Sequence, residues 1–197
     1  HEQLTGSTDT VLVFDTSGSM TDPDSSGISK IEAAQRAGLQ ILNVIEAENV
    51  ALGASNQIGI ASYNYAAYVD GPLTTDIALL RDTLLGLSAN GRTAMADGLQ
   101  TGMNLFSSGS GNKVLILLSD GLPNISLNSG SSQDYDYIKQ QVIDLATQAG
   151  QQNICVNTVG FGDPNQGSDS IDEDFLRAVA SASGCGKYYS ALDAIEL

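Results

Sequence analysis

The sequence predicts a doubly wound α/β fold: a mostly parallel six-stranded sheet with one antiparallel edge strand and helices on both faces. Three observations predict it. Strand and helix patterns alternate from end to end in the order β-α-β-β-α-α-β-α-β-α-β-α. Residues 10–14 and 114–118 (VLILL) are continuous apolar runs, the mark of strands covered on both faces. Residues 58–63 and 65–69 follow each other too closely for a crossover helix, so the second of them is an antiparallel edge strand.

The first strand, residues 10–14, leads to an amphipathic helix over 28–48, with Ile31, Ala34, Leu39, Leu42 and Ile45 near helical spacing. Ser29 and Glu32 make a capping box at its start. After the 58–63 and 65–69 strands, Asp76 caps a helix over 77–87, and a second helix covers 93–106. Strand 114–118 is the most hydrophobic and is placed at the centre. A helix over 134–148 and a strand over 154–161 follow. Ser170 and Glu173 form a second capping box, opening a helix over 172–183. Residues 187–190 are a short last strand, and 191–197 read as a final helix cut short. No repeat or linker divides the chain, so residues 1–197 are taken as one domain. The low-complexity stretch 124–132 is a surface loop carrying one weak glycosylation sequon at Asn124.

Composition excludes several functions. Eight basic against 23 acidic residues give a net charge of −15, which repels nucleic acid and anionic membrane surfaces and attracts cations. No apolar run is long enough to cross a bilayer. His1-Glu2-Gln3-Leu4 has neither the basic nor the apolar region of a signal peptide. The lone histidine is His1, which argues against a His-based catalytic triad or a His-ligated zinc site.

In such a sheet, ligands bind beyond the carboxyl ends of the strands, where strand order reverses. Three segments are expected to meet there. The first strand ends at Asp15, followed by Ser17 and Ser19; the central strand ends in Ser119-Asp120-Gly121; Gly91-Arg92-Thr93 opens a helix. Asp15, Ser17, Ser19, Thr93 and Asp120 are all oxygen donors, the ligand type that hard cations prefer. Gly18 is read as allowing tight curvature between the serines. Two carboxylates neutralise a divalent ion, and hydroxyls add ligands without adding charge. The ion then stays electrophilic towards an anionic oxygen from outside.

DTSGS at 15–19, GRTAMADGL at 91–99 and LLSDG at 117–121 together resemble the von Willebrand factor type A family with its metal-ion-dependent adhesion site. The resemblance covers nearly the whole chain. It implies a Rossmann-like fold and a metal held by Asp15, Ser17 and Ser19 from the first loop, Thr93 from the second and Asp120 from the third. The expected ion is Mg2+, or else Mn2+ or Ca2+. The implied partner is an acidic protein ligand reached through the metal, in a larger surface or secreted protein, with no nucleic acid and no membrane insertion. Many members have Gly-Gly-Thr where this chain has Gly91-Arg92-Thr93; Arg92 is read as solvated.

An enzyme is not expected. The Asp-Thr-Ser-Gly run has no second copy, as a pepsin-like protease would need. Metal-assisted hydrolysis would need a general base such as Asp22, Asp24 or Asp97. A scaffold domain in an intracellular multiprotein machine is the alternative reading. The acidic run 163–174 does not match EF-hand spacing and reads as a solvated loop. Tyrosines in 63–68 are assigned to edge-strand packing; those in 135–137 are left open between rim and packing roles. Cys155 and Cys185 fall at the amino-terminal ends of the fifth and sixth strands. A bridge there closes a loop of about 30 residues, stabilises by roughly 3–4 kcal/mol, and suits an extracellular, cell-surface or periplasmic setting. Two reduced, buried cysteines are the alternative.

Overall fold

The computed structural model describes residues 6–23, 27–106, 111–121, 123–127, 134–162 and 171–191. Six strands form one sheet: β1 (Thr8–Asp15), β2 (Gln57–Tyr63), β3 (Ala67–Thr74), β4 (Asn112–Ser119), β5 (Ile154–Gly160) and β6 (Tyr188–Ser190). The spatial order is β3-β2-β1-β4-β5-β6, parallel throughout except for β3, which runs antiparallel to β2 at the edge. Among the described residues five α-helices connect them: α1 (Lys30–Leu52), α2 (Ile77–Leu85), α3 (Met95–Asn104), α4 (Tyr135–Gln151) and α5 (Glu173–Ala182). The predicted fold class is the observed one.

Alternation along β1 sorts the core. Val11 and Val13 face α3, α4 and α5, where Leu99, Val142 and Val179 pack. Leu12 and Phe14 face α1 and α2, where Leu42 and Leu80 pack. Every residue from Asp9 to Asp15 is buried, as a strand covered on both faces requires. The order reverses at β1, which has β2 on one side and β4 on the other. The crevice beyond the carboxyl ends of β1 and β4 is therefore the position where this architecture takes ligands.

Several element ends differ from expectation. A short 3-10 turn, Gly18–Thr21, follows β1 and was not anticipated. Helix α1 begins at Lys30 because Ser29 is its cap, its side chain accepting from the Glu32 amide. Asp76 caps α2 as expected. The second capping box is not the one used: Asp172 caps α5, accepting from the Phe175 amide at 3.0 Å and pairing with Lys139. Asp172 lies three residues before Phe175, so its short side chain reaches that amide directly. Ser170 lies outside the described residues, as do residues 192–197, most of the expected last helix.

The edge strand starts at Ala67, later than expected. Of the tyrosines in 63–68, Tyr63 is buried at the end of β2, whereas Tyr65, whose ring lies against Gly91 ahead of β3, and Tyr68, on β3, are 60% and 49% exposed. The cysteine pair is bridged, with Cα atoms 5.4 Å apart at the amino-terminal end of β5, opposite the crevice.

Candidate metal centre

Strand parity builds the site. Asp15 pairs in register with Tyr63, and Phe14 with Leu118, so Asp15, Tyr63 and Ser119 stand level at three strand ends. Val13, Leu117 and Ala61, two residues back on each strand, all belong to the α3–α4–α5 side of the core. Period-two alternation therefore aims Asp15, Tyr63 and Ser119 to that same side. The hydroxyls respond accordingly. Ser119 donates to Asp15 Oδ2 at 2.7 Å and Tyr63 donates to the same oxygen at 3.2 Å. Asp15 Oδ1 accepts from the Ser17 amide at 2.9 Å, which folds the chain back after the strand.

The loop that follows carries the two serines. Ser17 Oγ and Ser19 Oγ lie 3.2 Å apart; Ser17 is buried and Ser19 half-buried. Gly18 sits between them in close approach to the second loop: its amide donates to Gly91 O at 3.0 Å, and a Cβ there would stand 3.2 Å from that carbonyl. Closeness, and not curvature as expected, is what favours glycine. Asn90 N donates to Thr16 O and Ala94 N to Asn64 O, each at 2.8 Å, so buried Thr93 is strapped into the same corner. Asn124 fixes it from the far side, accepting from the Thr93 amide at 2.9 Å while its own amide donates to Thr93 O at 3.1 Å.

Asp120 completes the arrangement. It is 1% exposed; Oδ2 accepts from Lys30 Nζ at 3.3 Å, and Oδ1 has no partner among the described residues. Burial, and then the Asp120 charge, raise the Asp15 carboxyl from 3.8 to about 7 despite its hydrogen bonds to Ser17 and Ser119. Two dry carboxylates repel each other with one oxygen orphaned, and the single Lys30 cation leaves them short of positive charge when both are ionised. Among the described residues no three His, Cys, Asp or Glu side chains cluster as metal ligands, so a cation here must also take hydroxyls. Asp15, Ser17, Ser19, Thr93 and Asp120 supply such a mixed oxygen set, and it fits a hard divalent ion.

Four contributors escaped sequence reading: Lys30, Tyr63, Ser119 and Asn124. Ser119 adjoins Asp120, and Tyr63 ends the neighbouring strand, so register could have found both. In the sequence Asn124 stands out only as a sequon. Around the corner, Arg92 is exposed, as expected. Tyr135 is 39% exposed with Lys139 Nζ 4.6 Å from its ring centroid. Burial, Asp172 and Asp120 push its phenol up to about 12, so it belongs to the acidic rim.

The model of the von Willebrand factor type A domain matches residues 10–122, which include all five oxygen donors. The chain belongs to that family. Its fold is shared with the vWF domain of the type V pili tip protein Mfa5 from Porphyromonas gingivalis, at TM-score 0.75 and 14% identity over 97% of this chain and 92% of that one. An aerotolerance-related membrane protein from Bacteroides fragilis aligns at TM-score 0.72 and 17% identity, over 94% and 91%. The PilB minor pilin from Streptococcus sanguinis aligns at TM-score 0.72 and 18% identity, over 98% of this chain but 59% of its own length. No curated protein matches the chain.

Proposed function

We propose that this chain is a protein-binding domain that holds one divalent cation, Mg2+ in first place with Mn2+ or Ca2+ as alternatives, and through it captures an acidic side chain of a partner. One observation carries the reading: the buried, mutually repelling pair Asp15 and Asp120, with Asp120 Oδ1 unpartnered. When bound, the ion supplies an electrophilic position for an outside carboxylate. The chain's own residues do the rest. Ser119 and Tyr63 hold one Asp15 oxygen in place, the Ser17 amide holds the other, and the loop bonds through Gly91 and Asn90 keep Ser17, Ser19 and Thr93 at the rim.

A binding role is favoured over hydrolysis. Of the candidate bases, Asp22 is exposed, Asp97 is half-buried in the first turn of α3, and Asp24 lies outside the described residues. The Cys155–Cys185 bridge supports an extracellular, surface or periplasmic setting over an intracellular machine. Likeness to a pilus tip protein and a minor pilin points the same way and suggests a place in a larger surface protein. No described helix is long and apolar enough to cross a membrane.

The test is calorimetric titration of Mg2+ and Mn2+ into chelator-treated protein, beside Asp15→Ala and Ser17→Ala. Saturable one-site binding that both variants lose is expected. Wild-type protein that takes up neither ion at millimolar concentration, with or without acetate, would sink the proposal.

A further inference from the structure

Lys30 occupies a position that ordinary folding physics disfavours three times over. It is the first residue of α1, where the helix dipole opposes a cation. It begins the buried stripe Lys30, Ala34, Gly38, Leu42, whose other members are small or apolar. It is 5% exposed, and lysine is rarely buried without a charged partner. The compensation is Asp120, whose Oδ2 lies 3.3 Å from Nζ. The lysine is also tied to the first loop through its backbone, its amide donating to Asp22 O at 3.0 Å just after the 3-10 turn that carries Ser19.

We propose that Lys30 is a tethered counter-charge of the strand-end site, which weakens uptake of a divalent cation alone and makes tight uptake depend on an anionic ligand. The inference rests on the metal-site reading above. With both carboxylates ionised, Asp15, Asp120 and Lys30 together carry one net negative charge. A divalent ion turns that into one net positive charge inside a largely dry pocket. Without Lys30 the loaded site would be neutral. The surplus charge disfavours the ion by itself, and a carboxylate from outside cancels it. Cation and anion are then coupled, and by linkage each strengthens the other equally. Lys30 acts through Asp120, as a positioning residue: it engages Oδ2 and leaves Oδ1 without a protein partner.

The experiment compares wild type, Lys30→Met and Lys30→Arg, with Mn2+ titrated calorimetrically in sodium acetate and in sodium chloride of equal ionic strength. Wild type is expected to bind Mn2+ more tightly in acetate. Lys30→Met is expected to bind Mn2+ in chloride about tenfold more tightly than wild type, equivalent to about 1.4 kcal/mol, and to gain little from acetate. Lys30→Arg, which keeps the charge, should retain the wild-type pattern. A lysine that only supports the fold would leave Lys30→Met with weaker or equal Mn2+ binding and an intact acetate effect, and that result overturns the inference alone. Should Lys30→Met not fold, the wild type still decides: Mn2+ binding that acetate does not strengthen also overturns it. Wild type that binds no Mn2+ in either salt overturns the metal reading and this inference together.

Discussion

In the proposed cation site, Asp15 is the residue at which stability and binding would pull in opposite directions. The unfolded chain releases its proton near the ordinary value of 3.8, whereas the folded chain holds it until about pH 7. Between those values the folded state binds more protons, so in chelator its stability falls as pH rises from about 4 to about 7, then levels. Asp15→Asn removes the charge and keeps an acceptor for the Ser17 amide, while its amide nitrogen faces the Ser119 and Tyr63 hydroxyls, which can turn to accept. In chelator it is expected to melt higher than wild type above pH 7 and to lose the pH slope assigned to Asp15, by up to a few kcal/mol. Its melting temperature should not respond to Mg2+. Thermal melts across pH, with chelator and with Mg2+, check both statements; a variant less stable than wild type at high pH in chelator contradicts the first. At this scale the five candidate oxygen donors of the proposed site lie in short motifs, which is why the sequence offers them. Tyr63, Lys30 and Asn124 were not, because their contributions come from register and loop closure across 31 to 90 residues of sequence.

The elements were legible where a pattern has one solution. The continuous apolar runs 10–14 and 114–118 read as buried strands, and they are β1 and β4, neighbours at the reversal, with β1 buried on both faces and β4 half-buried at Val114 and Ile116. Edges were harder. The stretch 63–68 combines a buried tyrosine at the end of β2, a turn and the start of β3, and aromatic content alone does not divide them. The contact between α3 and β2 illustrates what packing adds. A Cβ on Gly98 would stand 2.2 Å from Tyr63 Cδ1, so the glycine lets the helix lie against the ring that holds Asp15. Gly98→Ala is expected to destabilise by about 1–3 kcal/mol through overpacking and to weaken Mg2+ binding by displacing Tyr63. Gly53→Ala, at the exposed end of α1 with nothing within 4 Å, is its control: strained by a φ of +62°, it should lose stability and leave Mg2+ affinity unchanged. Denaturant titration and calorimetry of the two variants separate the cases.

The whole molecule is polar along its strands. The carboxyl ends carry the acidic corner, and the amino-terminal end of β5 carries the Cys155–Cys185 bridge, with a sequence separation of 30. The chain-entropy argument assigns that bridge roughly 3–4 kcal/mol. Replacing both cysteines with serine should lower stability by about that amount and leave Mg2+ affinity within about twofold, because the bridge lies at the opposite end of the strands from the site. An affinity loss as large as that of Ser17→Ala would show that the ends are coupled. The net charge of −15 adds a field that draws in cations, so Mg2+ association should weaken with ionic strength more than two local carboxylates alone predict. The most direct test of the cation site is a crystal structure of Mn2+-soaked protein with anomalous data. One peak is expected at the ends of β1 and β4, about 2.0–2.3 Å from oxygens of the set Asp15, Ser17, Ser19, Thr93 and Asp120. Mn2+ found only elsewhere, or Lys30 alone neutralising the two carboxylates with Mn2+ in excess, would contradict it.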